Sequence, residues 1–197
     1  MKYIGDLSSQ DAALLERYAR NATAVLEFGV GGSTQIIAQA LSPLASFTAL
    51  DTDPMWVETT QRYLARLGVE DRCQMLAYDA WQSRPPLGSY DLIFNDGLLA
   101  LRPDFARRSF PMLSVGGVML FHDTRRPFDV RYVLDVVGEF FEEVEDVHLN
   151  ERFEGASSNI TAVRKKTREP YVNWNEAEAR PLWAYGLGEV PEDFWSS

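Results

Sequence analysis

The sequence predicts an α/β fold built on a doubly wound, mostly parallel sheet, and three observations carry that expectation. Strand-length apolar runs alternate with helical patterns of ten or more residues, five times in succession. Several runs, such as "YDLIFND" and "GGVMLFHD", are apolar through their middles, as strands buried on both faces are. The length of 197 residues, with 46% hydrophobic and 24% charged residues, suits one domain with a full core.

The elements follow in order. "LSSQDAALLERYAR" reads as a helix over 8–20, with Ser8 as cap, Asp11 at capping-box spacing and Leu14, Leu15 and Tyr18 as the apolar stripe. "AVLEFGV" reads as the first strand, and a glycine turn leads into the helix "STQIIAQAL". "SFTAL" is the second strand and ends at Asp51. In the helix "DPMWVETTQRYLARLG", Asp53 is the cap, Pro54 fits the first position and Gly68 the stop. "CQMLAY" is a third strand ending at Asp79, "YDLIFND" a fourth and "GGVMLFHD" a fifth, with "PDFARRSFPML" helical between the last two. After the helix "DVRYVLDVVGEFFEEV", the segments "VEDVHLNER" and "NITAVRKK" read as two closing strands. The loop "FEGASS" between them is too short for a parallel crossover, so they are expected to pair antiparallel.

These elements assign residues 1–166 to the domain and leave 167–197 as a tail rich in aromatics, including Tyr171, Trp174, Trp183 and Trp195. The tail is expected to pack on the core or on a second subunit, which would make a homodimer, or to form a lid over a substrate pocket.

Composition excludes several partners. The formal net charge is -10, and the one dense basic cluster, Arg164, Lys165, Lys166 and Arg168, reads as a solvated strand end. No nucleic-acid or membrane partner is expected. Cys73 is the single cysteine, "MKYIGDLSSQ" lacks the apolar core of a signal peptide, and the apolar runs are far short of a membrane span. A cytoplasmic protein is expected.

In a fold of this class, ligands bind beyond the carboxyl ends of the strands. Those ends carry Glu27 to Gly32, Asp51, Asp79, Asn95 with Asp96, and His122 with Asp123. A row of acids is a poor partner for a pyrophosphate. The dinucleotide fingerprint wants a third small residue, and Thr34 stands there. Asp51 lies 22 positions after Gly29, where an acid can accept two hydrogen bonds from a ribose diol. Asp79 stands where an adenine amino group would be read. No Tyr-x-x-x-Lys pair occurs.

The segments "VLEFGVGGST", "ALDTDPMWV", "MLAYDA", "YDLIFNDG" and "LSVGGVMLFHD" together resemble the class I S-adenosylmethionine-dependent methyltransferases, from about Thr23 to Lys166. "GGST" and the pairing of "NDG" with "GGVMLFHD" resemble the small-molecule O-methyltransferase-like branch. The resemblance implies a Rossmann-like methyltransferase fold, with a seven-stranded, mostly parallel sheet and an antiparallel closing strand. It implies that Gly29, Gly31 and Gly32 admit the methionine part of S-adenosylmethionine, with Glu27 near its ammonium group. Asp51 would bind the ribose, Asp79 and Ala80 would frame the adenine, and Trp81 would cover it. Ser33 and Thr52 complete the cofactor set, and Asn95 and Asp96 would face the sulfonium and the acceptor.

Several members of that family hold a divalent cation with an acid after the fourth strand and a pair after the fifth. The resemblance therefore offers Asp96, His122 and Asp123 as metal ligands. His122 departs from the acids or amides usual there, and imidazole suits zinc, iron or manganese better than magnesium. Its neutral-range pKa also fits a general base, and a hydrogen-bonded strand end is the third reading. Asp96, His122 and Asp123 form the candidate catalytic set. Methyl transfer to a small-molecule hydroxyl is the leading expectation. The alternatives are an NAD-dependent oxidoreductase and a methyltransferase-like binding protein without activity.

Overall fold

The computed structural model describes residues 4–5, 7–83 and 89–166. The aromatic tail, and with it the expected packing or lid, lies outside the described residues.

The first helix, α1 (Ser9–Ala19), is capped by Ser8 with a full capping box to Asp11. Then come β1 (Ala24–Phe28), α2 (Gly32–Ala40), β2 (Ser46–Asp51) and α3 (Pro54–Leu67). Helix α3 starts on the Asp53 cap and stops at Gly68 in the left-handed conformation. Next are β3 (Gln74–Ala77), the short α4 (Tyr78–Gln82), β4 (Tyr90–Asn95) and α5 (Arg102–Ser109). Pro111 falls in a separate 3₁₀ turn, Phe110–Met112, because a proline cannot supply the amide that would continue α5. Strand β5 (Leu113–Phe121), α6 (Pro127–Glu139) and β6 (Val144–His148) follow.

The expected loop "FEGASS", together with Arg152 from the end of the expected strand, contains a hairpin of β7 (Arg152–Phe153) and β8 (Ala156–Ser157). Its two turn residues, Glu154 and Gly155, have φ of 49° and 83°, the pattern of a tight hairpin turn. Strand β9 (Thr161–Lys165) closes the sheet.

Seven strands form one sheet in the order β3-β2-β1-β4-β5-β9-β6. Strands β1 to β5 pair parallel, and β9 runs antiparallel to both β5 and β6. The doubly wound sheet with an antiparallel closing strand is thus present as expected. Its order reverses between β1 and β4, so the ends of those strands open a crevice.

Alternation along the strands fills two cores. Val25, Phe47, Ala49, Leu92, Phe94, Val118 and Leu120 pack with Leu14 and Leu15 of α1 and Ile37 of α2. Leu26, Phe28, Leu50, Ile93, Met119 and Phe121 pack on the other face with Phe105 of α5 and Tyr132, Val133 and Val136 of α6. The same alternation decides which polar residues at the strand ends meet which helix. Among the described residues, no helix is long and apolar enough to cross a membrane.

Candidate active site

The strand ends at the reversal are stitched together by backbone hydrogen bonds. Gly29 N donates to Leu50 O at 2.8 Å, Asp96 N to Phe28 O at 2.8 Å and His122 N to Asn95 O at 3.2 Å. This crossing requires glycine. Gly29 has φ of 98°, and a Cβ there would stand 2.6 Å from the backbone of Asp96 and Gly97. A Cβ on Gly97 would meet the Phe28 ring at 2.5 Å. Gly31 is different. Its φ of 162° is extended backbone, and the nearest atom to an added Cβ would be on Trp56, 4.0 Å away. The fold itself does not demand glycine at 31; the space above it is open.

That space belongs to a cavity of about 470 Å³, a size usual for small-molecule sites. One wall is Gly29 to Ser33 with Asp51, Thr52, Asp53 and Trp56. The opposite wall is Asp96, Gly97, Leu98, Arg102, Asp123 and Arg126. Ile4, Gly5 and Leu7, ahead of α1, close one side. Asp51 is fixed by two backbone amides, Val30 N to Oδ2 at 2.9 Å and Asp53 N to Oδ1 at 2.8 Å.

Of the residues the sequence singles out, Gly29, Gly31, Gly32, Ser33, Asp51, Thr52, Asp96 and Asp123 converge on this cavity. The others do not line it. Glu27 is wholly buried beneath the glycine turn, on the face of β1 toward α2. Its Oε2 accepts a hydrogen bond from Thr34 Oγ1 at 2.7 Å, and that hydroxyl accepts one from Gly31 N at 2.9 Å. Burial pushes the Glu27 pKa up to about 8 against the hydroxyls of Ser33 and Thr34. Glu27 therefore braces the turn through Thr34, in place of the expected contact with an ammonium group. The threonine at the third position of the glycine pattern has this bracing as its physical reason.

Asn95 faces the opposite way from Asp96, because successive strand residues alternate. It is buried, and its Nδ2 donates to Arg102 O at 3.0 Å, so it anchors the start of α5 and does not face the cavity. Asp79 and Ala80 lie in the first turn of α4, not at the end of a strand, and both are exposed outside the cavity wall. Trp81 packs against Tyr78 and Phe105, with ring centroids 5.7 and 5.4 Å away.

His122 and Asp123 follow β5 directly and turn the chain, with Asp123 at φ of 62°. Aspartate is among the few residues that tolerate this left-handed conformation. His122 is buried on the α1 face among three carboxylates. Its Nδ1 lies 3.0 Å from Asp96 Oδ1 and 3.7 Å from Asp123 Oδ1, and its Nε2 lies 3.5 Å from Asp11 Oδ2. Neither ring nitrogen is aligned for a straight hydrogen bond, so the contacts act as ion pairs. Burial alone would lower the imidazole pKa. The Asp11 and Asp96 contacts and the Asp96 and Asp123 charges outweigh it and push the pKa up to about 10. Burial would likewise raise Asp11, but His122, Ser8 and the Asn159 amide hold it well below the usual carboxylate range. With these acids as partners the protonated form of His122 is favoured, and that form does not accept a proton. Of the three roles the sequence offers for His122, these contacts agree best with a strand-end histidine held by polar partners.

The sign of the pH dependence follows. The folded pKa exceeds the ordinary 6.5, so the stability from His122 is complete below pH 6.5 and is lost as pH rises through about 10. Thermal melts of the wild type and His122→Gln should differ most at pH 6 and converge by about pH 10. A constant difference would mean that the ring is not charged.

The ligand atoms of Asp96, His122 and Asp123 lie within 4.8 Å of one another, as a cation site requires. A residue that the sequence reading missed stands among them. The Arg102 guanidinium, at the first position of α5, is 2.8 Å from Asp96 Oδ1, 3.3 Å from Asp123 Oδ2 and 3.1 Å from Asp129 Oδ1. With the Arg102 guanidinium already seated on Asp96 and Asp123, these residues do not fit a divalent ion. A signal was available. A cation at a helix N-terminus opposes the helix dipole and needs acids to hold it there.

A family model described as a methyltransferase domain matches residues 26–124. No curated protein matches the sequence. Among solved structures, the O-methyltransferase TomG from Streptomyces achromogenes, involved in tomaymycin synthesis and bound to SAM, is 18% identical. The match covers 82% of each chain at a TM-score of 0.66. An O-methyltransferase from Bacillus cereus in complex with SAH is also 18% identical, covering 81% of this chain and 83% of that one at a TM-score of 0.66. Cofactor-bound Rv0187 from MTB is 20% identical over 82% of each chain, at a TM-score of 0.67.

Proposed function

Because the chain belongs to the methyltransferase-domain family, we propose that it moves a methyl group from S-adenosylmethionine to a hydroxyl oxygen of a small-molecule acceptor. The observation that carries this reading is the open space over Gly31, between a fixed acid on β2 and a second acid after β4. A pyrophosphate would meet Asp51, Asp53, Asp96 and Asp123 on these walls. A ligand bearing an ammonium and a sulfonium suits them.

S-adenosylmethionine supplies an electrophilic methyl, which the acceptor oxygen takes by in-line displacement while the carbon–sulfur electron pair stays on sulfur. The protein's part is alignment, which can supply about 7–11 kcal/mol of the barrier. Asp51, fixed by two amides, receives the ribose diol. The first turn of α2, with Gly32 and Ser33 on the cavity, offers backbone N–H groups to the carboxylate. Trp56 offers its ring to the adenine side.

Asp96 faces the acceptor. Its Oδ1 is held by Arg102 and His122, and among the described residues its Oδ2 has no hydrogen-bond partner. That oxygen orients the acceptor hydroxyl and takes its proton as the new carbon–oxygen bond forms. We place the protein in the cytoplasm, where a lone thiol such as Cys73 stays reduced.

Calorimetric titration with S-adenosylhomocysteine and with NAD tests the reading. Binding of the former and not the latter is expected, and the reverse overturns it. Asp51→Ala should weaken S-adenosylhomocysteine binding by about 1–3 kcal/mol, because a buried diol loses its partner. Unchanged affinity would remove Asp51 from the site.

A further inference from the structure

We propose that Arg102 is the built-in cation of this site, standing where a divalent ion would have to bind, so that the chain needs no metal there. The inference concerns the site of the proposed methyl transfer and rests on that reading for its role, but its geometry stands by itself.

A guanidinium has five N–H donors in a fixed plane. Here every one has an acceptor. Nε donates to Gly97 O at 2.8 Å. Nη1 donates to Asp123 Oδ2 at 3.3 Å and Asp129 Oδ1 at 3.1 Å. Nη2 donates to Asp96 Oδ1 at 2.8 Å and to Asp96 O at 3.3 Å. The three carboxylates come from three elements: the end of β4, the end of β5 and the first turn of α6. The side chain is only 8% exposed, so this is a buried junction and not a surface pairing. An ion bridging Asp96 Oδ1 and Asp123 Oδ2 would have to displace the guanidinium.

The remaining charges close the site. His122 Nδ1 lies against the same Asp96 oxygen that Arg102 holds, and Arg126 Nη2 reaches the other Asp123 oxygen at 2.9 Å. Four carboxylates, counting Asp11, thus face three cationic side chains, leaving a charge that suits a cationic cofactor better than a dication. With its donors all engaged, Arg102 gives none to the acceptor. It acts as a positioning residue: it pins one oxygen of Asp96 and leaves the other to the cavity.

Displacing the guanidinium should therefore create the ion site that it now fills. Mn²⁺ binding is measured by the loss of the free-ion electron paramagnetic resonance signal, for wild type, Arg102→Met and Arg102→Met with Asp96→Asn. The wild type should bind no Mn²⁺ up to about 1 mM. Arg102→Met should gain a site at least about tenfold tighter, raise its melting temperature in Mn²⁺, and lose both effects with Asp96→Asn. Arg102→Gln, which keeps an amide donor for Gly97 O, serves if the methionine variant does not fold. One Mn²⁺ on the wild type, released by Asp96→Asn, would overturn the proposal. So would a folded Arg102 variant without a new site. S-adenosylhomocysteine binding in chelator is read in parallel. Its loss would strike the functional reading, while the Mn²⁺ result would still stand or fall alone.

Discussion

Arg102→Met should destabilise the fold by about 3–5 kcal/mol, a large share of the roughly 5–15 kcal/mol that holds a domain together. The cost is not the loss of a favourable pair, since buried ion pairs contribute little net stability. It comes from stranding the partners. Asp129 is the critical one. It is 1% exposed, its Oδ2 already lacks a partner, and burial pushes its pKa up even with Arg102 beside it. Without the guanidinium, Asp96, Asp123 and Asp129 repel one another in a half-buried pocket. Urea unfolding at pH 7 should show the loss as a lower midpoint with an unchanged slope. The deficit should shrink as pH falls and the acids take up protons. A loss below about 1 kcal/mol at pH 7 would mean that these carboxylates are solvated as surface pairs are.

Gly29→Ala carries the second large effect, and its contrast with Gly31→Ala makes it diagnostic. At Gly29 an alanine meets two obstacles. The φ of 98° costs about 1–3 kcal/mol for a residue with a Cβ. The new methyl would also overlap the Asp96 carbonyl and Gly97 amide at 2.6 Å, and both are backbone, so the end of β4 must move. A shift of about 1 Å in a reacting group can cost about a hundredfold in rate. Gly29→Ala should therefore lose stability and methyl transfer together. Gly31→Ala meets neither obstacle. It should leave stability within about 0.5 kcal/mol of wild type, as a substitution without strain does. It should still weaken S-adenosylhomocysteine binding, because its methyl enters the space reserved for the ligand. Equal losses of stability in the two variants would remove the distinction between a glycine the fold needs and one the ligand needs.

Much of the fold can be read from periodicity and caps. The Ser8 and Asp53 caps, the Gly68 stop and the apolar strands are local features, and local chemistry decides them. The hairpin at Glu154–Gly155 escaped because its strands are two residues each, too short for any alternation to register. Asp79 was misplaced for a related reason. "CQMLAYDAW" is apolar beyond the last ladder pair, Asp51 with Ala77, and only the sheet's edge decides where pairing stops. Cavity positions are legible where one residue type serves one purpose, as at Gly29, Asp51 and Asp96. They are not legible where several acids compete for the same partners.

The sequence by itself determined the sheet, the glycine turn and the row of acids at the strand ends, because apolar period, backbone freedom and charge are properties of neighbouring residues. Only the tertiary structure decided which of those acids face the cavity and which face protein. Glu27 and Asn95 point into opposite cores one or two residues away from cavity positions, and His122 lies against an aspartate 111 positions earlier. Arg102 meets acids from β4, β5 and α6 that are separated along the chain by 6 to 27 residues. Such charges are set by burial and by partners distant in sequence, and both exist only once the layers have packed.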